Sequence, residues 1–464
     1  MISFKKLEKN IEEITPFLNE SEPYFCDLTV GTRYIWGDVF TIYYAIFDKT
    51  LILKESGEGY EDAFYFPIGK NVNGALKEIE KYCLKNFIPL NYCCLKETEL
   101  NYLKKRYYFT QDYYERDWSD YVYLAQTFKD YKGKKLSAKR NHVNKFLKLY
   151  PNFTVEEASE NNLKDILEFL KEYGKKDGIS EYEKSEIINL KDYVNNFAKL
   201  NQKGLILKVE EKVIGISFGE RTKDTLTVHV EKADTSFEGA YPMLAKQFAL
   251  TFATDGVNYI NREEDCGDEG LRISKTRYCP IEIRHKYVLK VKTLFDKIIP
   301  PINIEIDNEL FITDVKEEHK KELFALSTDS ELNKWWGYDY KEDLKEELSL
   351  EYFINFIMEM KQKKEEYSLS VTKNGKMVGE LVLHNFDYFG RVEMGFRFLR
   401  EEQKKGYAFK SASALKDFVK NTLNARVLKS RCFKENQASF KLIKRLGLNK
   451  KGESRNKFYF SVNL

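Results

Sequence analysis

The chain reads as an α+β protein built from tandem copies of one mixed-sheet fold, and three observations predict this. Strand and helix signals alternate from end to end. The order three antiparallel strands, helix, strand, helix appears in the middle of the chain and returns in its last third. A Pro–Pro pair, Pro300–Pro301, separates the two stretches, and adjacent prolines resist helix because they lack amide donors.

The first hairpin is expected over Val39–Phe47 and Leu51–Lys54, rich in Ile, Tyr and Phe around Asp48-Lys49-Thr50. Ala63–Pro67 reads as a strand, and Gly74–Lys85 as a helix with Leu76, Ile79 and Tyr82 at helical spacing. Leu90–Leu95 and Thr98–Arg106 repeat strand and helix, so the segment before Ser119 reads as a degenerate copy of the same fold. After a strand at Tyr121–Leu124 come basic helical turns and a strand at Phe153–Glu157. Helices at Leu163–Tyr173 and Glu181–Leu200 follow. Leu205–Glu210 and Val213–Glu220 flank a turn at Glu211-Lys212, and Leu226–Glu231 adds a third antiparallel strand. A helix at Pro242–Ala253, a strand at Val257–Asn261 and a helix over Glu269–Tyr278 complete that unit. The predicted domains are 1–295, with an internal boundary near 125–150, and 303–464.

At 464 residues the chain exceeds what one core sustains, so two or three domains are expected. Hydrophobic residues at 42% and charged residues at 32% exclude wholesale disorder. A net charge of +3 implies neither nucleic acid nor an anionic membrane, so any basic site is local. Seven cysteines, an odd number without a CxxC pair, form neither a disulfide framework nor a zinc pattern. They read as reduced thiols of a cytoplasmic protein, and with five histidines and no His–Cys cluster no metal is expected. The N-terminus lacks the apolar run of a signal peptide, and no run approaches the ~18–20 apolar residues of a membrane span.

In the last third, Glu393-Met-Gly-Phe-Arg-Phe-Leu-Arg leads from an apolar strand into Gln403-x-x-Gly406-x-Ala408 at a helix start. A glycine and a small residue let a ligand approach the backbone, and unsatisfied amides at a helix N-terminus favour a diphosphate. Lys404 and Lys405 add positive charge. Asn436-Gln-Ala-Ser439 opens the next helix, Asp329-x-x-x-Asn333-x-Trp335-Trp336-Gly337 fits an entry segment, and Val378-Gly-Glu-Leu-Val-Leu-His384 fits a middle strand. Glu393 faces the cleft and is either the group that orients an amine or a structural charge at a strand edge. Trp335 and Trp336 read as the wall of an acceptor site, His384 as a surface residue, and Cys432 as core.

Together these motifs resemble the GNAT acetyltransferases, in the branch that includes ribosomal-protein-alanine acetyltransferases, over essentially all of residues 303–464. The resemblance implies acetyl-CoA as cofactor, with Phe398 and Leu399 offering backbone groups to its pantetheine arm. It implies that Gln403, Lys404, Lys405, Gly406, Tyr407 and Ala408 hold the pyrophosphate, with Asn436 and Ser439 beside the acyl end. The implied reaction is direct attack of a neutral amine on the thioester.

In the larger N-terminal part, Asn261–Pro280 concentrates charge between a strand end and a helix, where fixed polar groups commonly serve binding. Arg262, Arg272 and Lys275 can receive a phosphate or carboxylate, and Glu263, Glu264, Asp265 and Asp268 can fix them or an amine. The plainer reading is acidic residues favouring a helix dipole. His229 and Glu231, two apart on one strand, share a face, as an acid/base pair or an acceptor pocket, or with His229 as a hydrogen-bonded structural residue. Between Lys129 and Lys148 eight basic residues meet one acidic residue, a face suited to RNA phosphates or to plain solvation.

These three elements resemble the phosphatidylglycerol lysyltransferase C-terminal domain family over about residues 1–290. That resemblance implies a tandem GNAT-like fold related to Fem-type transferases, with aminoacyl-tRNA as donor. Carried over, Lys134, Lys135, Lys139, Arg140 and Lys145 would meet tRNA. His229, Glu231, Arg262, Glu263, Glu264, Asp268, Arg272 and Lys275 would line the acceptor cleft. Cys266 stands where the family pattern leads one to expect an aliphatic residue. The family's membrane enzymes carry transmembrane helices ahead of this domain, and this sequence has none, so a soluble small-molecule or protein amine is the expected acceptor. The alternative is an N-terminal unit without catalysis, binding substrate or RNA and presenting a partner to the acetyltransferase.

Overall fold

A computed structural model of the chain describes residues 2–8, 11–21, 24–37, 40–57, 60–175, 181–336, 341 and 348–464. It resolves into two compact units. One comprises Met1–Lys81, Leu90–Asn101 and Asp112–Leu289, and the other Tyr82–Pro89, Tyr102–Gln111 and Lys290–Leu464. The second unit's main segment thus begins ahead of Pro300–Pro301.

One topological theme recurs three times. Strands Thr41–Phe47, Thr50–Gly57 and Tyr60–Phe64 are antiparallel neighbours, and after helix Val72–Asn86 strand Leu90–Leu95 joins Tyr60–Phe64 in parallel. Strands Lys203–Val209, Lys212–Thr222 and Thr225–Ala233 repeat the meander, followed by helix Ala240–Phe252 and the parallel strand Tyr259–Asn261. Strands Glu366–Lys373, Lys376–His384 and Arg391–Phe398 repeat it again, with helix Tyr407–Asn421 and the parallel strand Val427–Phe433. The expected α+β class of tandem GNAT-like folds, the first degenerate, is the one observed.

Local chemistry repeats with the topology. Each meander opens with a two-residue turn whose residues both have positive φ: Asp48-Lys49, Glu210-Glu211 and Asn374-Gly375. Such turns match the right-handed twist of the flanking strands. The middle turn falls one residue earlier than the expected Glu211-Lys212, because Lys212 already pairs with Val209. The second and third copies also share a bulge, where Leu207 faces Gly215 but Lys208 faces Val213, and Val371 faces Gly379 but Thr372 faces Met377. At Gly379 a Cβ would lie 2.4 Å from the Phe398 ring, so a side chain there would displace that ring.

Strand Lys212–Thr222 is buried almost throughout because helices and the first copy cover its two faces. One face shares a core with the first copy through Ile206, Ile216, Phe218 and Val230; the other packs Leu205, Leu207 and Ile214 against helix Ala240–Phe252. In the C-terminal unit Leu369, Leu381, Val392 and Met394 meet Leu415 and Val419 of helix Tyr407–Asn421. Replacing fully buried Leu381 with alanine removes part of that layer. Urea unfolding of Leu381→Ala should show a loss of about 2–5 kcal/mol; a loss under about 1 kcal/mol would mean this layer is not the core of its unit.

Candidate functional site

In the C-terminal unit the parallel strands Arg391–Phe398 and Val427–Phe433 pair over only three residues, from Arg391 opposite Val427 to Glu393 opposite Lys429. Beyond that point they diverge. The Ser430 hydroxyl closes the apex by donating to the Met394 carbonyl at 2.9 Å. Strand alternation then turns the backbone of Phe396 and Phe398 to the same open side. The Phe398 carbonyl accepts from Gln403 Nε2 at 3.1 Å, and the Leu399 amide donates to the Val378 carbonyl at 3.1 Å. Two backbone groups expected to serve a ligand are therefore engaged within the fold. Phe396 was missed in the sequence, although counting two residues on from Met394 identifies it.

Gly406, at φ 84°, starts helix Tyr407–Asn421 with no side-chain cap, and the first bond back into the helix is from the Lys410 amide to the Gly406 carbonyl. The leading amides therefore have no intrahelical acceptor. A Cβ on Gly406 would meet nothing within 4 Å, so the space above it is open. Lys404 is exposed at φ 63°, whereas Lys405 pairs with Glu402 at 3.0 Å. Tyr407 accepts from Lys373 at 2.8 Å, and Ala408 packs against the core. This fits a diphosphate: open room, free amides and a lysine with no ion pair among the described residues.

Asn436 caps the helix Gln437–Arg445 by accepting from the Ser439 amide at 3.0 Å. Trp335 lies 5.9 Å from the Phe433 ring, while Trp336 has the Arg397 guanidinium 4.4 Å from its ring and borders Gly395. The two tryptophans thus stand at the two lips of the opening; Gly337 of that motif lies outside the described residues. Glu393 is buried, accepting from Asn385 at 3.0 Å, with Arg431 Nε 3.0 Å from its other oxygen but out of line for a hydrogen bond. His384, expected at the surface, is mostly covered and lies 3.9 Å from Glu393; burial holds it below its usual range, and so neutral.

The N-terminal unit contains the same opening, where Thr225–Thr227 pair with Tyr259–Asn261 and the strands then part. Gly239, at φ 87°, stands where Gly406 does, but a Cβ there would be 2.4 Å from the His142 carbonyl and 3.0 Å from Phe146. Helix Ser137–Leu149 fills the space that is open above Gly406.

The charges expected to line a cleft here pair with one another. Arg262 donates to Glu231 at 2.6 Å and stacks on Tyr278 at 4.7 Å, leaving Nη1 buried without a hydrogen bond. His229 is the extra residue of a bulge opposite Phe218-Gly219; its Nδ1 meets Glu263 at 2.8 Å and its Nε2 meets Glu220 at 3.2 Å. Burial alone would lower its value, but the two carboxylates raise it to about 9, so the ring is an imidazolium donating from both nitrogens. At 1% exposure it has no open side. The bulge breaks the alternation that would put His229 and Glu231 on one face: His229 lies with Tyr193 and Gly31 toward the first copy, while Glu231 reaches Arg262 beside Tyr278 on the other face, so the expected shared face and acid/base pair are not formed.

The remaining residues are also committed. Glu264 is raised to about 7 by burial, against the pull of Lys286. Asp268 caps helix Glu269–Thr276 through the Leu271 amide at 2.6 Å. Arg272 grips Asp265 by two bonds, at 3.0 and 2.7 Å, and reaches Asp117 at 2.5 Å. Burial would raise Asp265, but bonds from Arg272, Tyr121 and Gly267 draw it down to about 2. Lys275 donates to the Arg262 and Glu264 carbonyls. Cys26, Asp27 and Asp120 come close enough to share a cation, and the Lys286 ammonium touches all three, 2.9 Å from Asp120 and 3.4 Å from the Cys26 sulfur.

The basic helix is only partly free. Lys139 sits 3.8 Å above the Tyr278 ring, lowered to about 8 by burial and then by Arg262. Arg140 donates to the Tyr131 carbonyl at 2.6 Å, and Lys145 pairs with Glu238 at 2.6 Å. Lys134 and Lys135 are exposed. Among the described residues no helix is long and apolar enough to cross a membrane.

Comparison with known proteins follows the same division. Residues 19–290 match the family described as phosphatidylglycerol lysyltransferase, C-terminal, and residues 309–449 match the acetyltransferase (GNAT) domain. A crystal structure of a conserved protein of unknown function from Bacteroides thetaiotaomicron is 30% identical, covering 63% of this chain and all of that one, with a TM-score of 0.56. A GNAT-family acetyltransferase from Bacillus anthracis is 18% identical over 35% of this chain and 98% of its own, with a TM-score of 0.30. A ribosomal L7/L12 alpha-N-protein acetyltransferase in complex with coenzyme A is 15% identical over 35% and 98%, with a TM-score of 0.31. Among curated proteins none matches.

The His229 arrangement sets a pH dependence. A value raised from 6.5 to about 9 stabilises the fold fully below pH ~6.5, and that contribution disappears as pH rises through about 9, by roughly 3 kcal/mol at most. Calorimetric unfolding between pH 6.5 and 9.5 should show the N-terminal unit weakening with pH, and His229→Gln should be less stable at pH 6.5 and flatter across the range. A wild-type transition that does not move over this range would sink the assignment.

Proposed function

The chain belongs to the phosphatidylglycerol lysyltransferase C-terminal family, and from that premise we propose that it is a two-part acyltransferase, its GNAT domain moving an acetyl group from acetyl-CoA to an amine. The observation that carries the reading is the contrast between Gly406, open and uncapped at the mouth of diverging strands, and Gly239, closed by the chain's own helix. Bound acetyl-CoA supplies an activated acyl carbon. Lys404 and the amides from Tyr407 onward hold the diphosphate, Phe396 presents free backbone to the pantetheine arm, and Trp335 and Trp336 wall the acceptor side. Glu393, kept in place by Asn385, orients the amine.

For the N-terminal unit we propose aminoacyl transfer from aminoacyl-tRNA to an amine acceptor, supported by the family and by exposed Lys134 and Lys135. One observation favours a second reading, a binding module without catalysis: Arg262, Glu263, Arg272 and Lys275 are all paired internally.

Calorimetric titration should give one acetyl-CoA per chain, and Gly406→Glu should weaken it at least ~100-fold by placing a carboxylate against the diphosphate. Two sites per chain, or an unchanged affinity in the variant, would refute the placement. Filter binding with bulk tRNA should weaken steeply as salt rises and weaken further in the Lys134→Glu/Lys135→Glu double variant. Absence of binding at low salt favours the module without catalysis.

A further inference from the structure

The two faces of the C-terminal sheet differ. One carries the core on helix Tyr407–Asn421, and the other, with Glu366, Ser368, Glu380, Val382 and Arg397, faces helices Lys320–Thr328, Ser330–Trp336 and Tyr352–Gln362. Between them lies a cavity of about 30 Å³, room for one or two waters or a single amino group. It shares a wall with the diverging strand, since Arg397 belongs to that strand and Trp336 lies against Gly395.

Most of its polar lining is satisfied. Arg397 donates to Glu380 at 2.6 Å and to Ser327 at 2.8 Å, and Asn333 donates to the Ser327 carbonyl at 2.5 Å. Glu366 is different: half-buried at the cavity edge, its carboxylate makes no hydrogen bond or ion pair among the described residues. It stands opposite His384 in the ladder, and His384 stands opposite Glu393, so all three share one face at the level where the strands part.

We propose that this cavity seats the amino group of the acceptor, an unhindered primary alkyl amine, and that Glu366 takes its proton. The proposal rests on the acetyl-transfer reading of this domain. The ammonium gives one proton to the Glu366 carboxylate, and the freed nitrogen lone pair attacks the carbonyl carbon of the acyl-CoA thioester. The C–N bond forms, the C–S bond breaks, and the second amine proton leaves with the thiolate, giving an amide and a thiol. Burial raises Glu366 to about 7, Glu380 and Glu365 push the same way, and Arg431 and Arg397 oppose them. His384 beside it is neutral, and helix Tyr352–Gln362 offers only Phe353, Phe356 and Ile357 to the cavity. A carboxylate so poised exchanges protons near neutrality. The cavity's size admits –NH₃⁺ on a methylene and excludes a branched secondary amine.

The test uses the full chain, acetyl-CoA and ethylamine as the probe, with thiol release followed from pH 5.5 to 8.5 beside calorimetric acetyl-CoA binding. In the wild type kcat/KM should rise with pH and level off above about 7. Glu366→Gln should lower kcat at least ~10-fold, abolish the break and leave acetyl-CoA affinity within about twofold; Glu366→Asp should restore the break. The proposal is overturned if Glu366→Gln keeps the break, if diethylamine serves as well as ethylamine, or if a chain that binds acetyl-CoA releases no thiol to ethylamine. Failure of the wild type to bind acetyl-CoA would overturn the acetyl-transfer reading and this proposal with it, and the binding arm alone detects that case.

Discussion

Two parallel strands that pair over three residues and then part leave backbone donors and acceptors facing nothing, and a buried peptide group must find a partner. The C-terminal unit meets this demand only in part. Ser430 bonds the Met394 carbonyl and Gln403 bonds the Phe398 carbonyl, while Phe396 and the leading amides of helix Tyr407–Asn421 face open space. An opening of that kind, with a left-handed glycine at its rim, suits an extended anionic ligand.

The N-terminal unit meets the same demand from within. Helix Ser137–Leu149 seats its His142 carbonyl against Gly239, and beside the parting strands Glu231 pairs with Arg262 on one face and His229 with Glu220 and Glu263 on the other. Buried ions lose hydration, and good geometry restores only part of it, so such a lattice specifies one arrangement more than it adds stability. Its exactness of fit is visible at Gly31, where a Cβ would come within 2.4 Å of the His229 ring. Arg262 Nη1 is left without a hydrogen bond among the described residues. Two copies of one topology are thereby separated in chemistry, one opening kept empty and one closed by the chain's own helix.

On the face of the C-terminal sheet that meets helices Lys320–Thr328 and Tyr352–Gln362, satisfaction of polar groups is again selective. The Arg397–Glu380 pair, Ser327 and Asn333 form a closed set, which makes Glu366, without a side-chain partner among the described residues, stand apart. An isolated carboxyl against an apolar helix face is raised toward neutrality for the same reason that the buried His384 is lowered: both favour the uncharged form where water is scarce.

Much of this was legible in the residues alone. Hydrophobic alternation marked nearly every strand of the meanders, and Gly406 with its lysines marked the helix start, because these signals are local in sequence. The charges of Asn261–Tyr278 were equally visible, but their partners were not. Glu231 lies 31 positions from Arg262, Asp117 lies 155 from Arg272, and Cys26 lies 238 from Glu264. A side chain's role depends on whether its charge is met, and folding across such separations decides that. Composition and periodicity determined the fold and the place of the glycine turn; only tertiary packing determined that one opening is plugged, that His229 is sealed, and that Glu366 has no side-chain partner among the described residues.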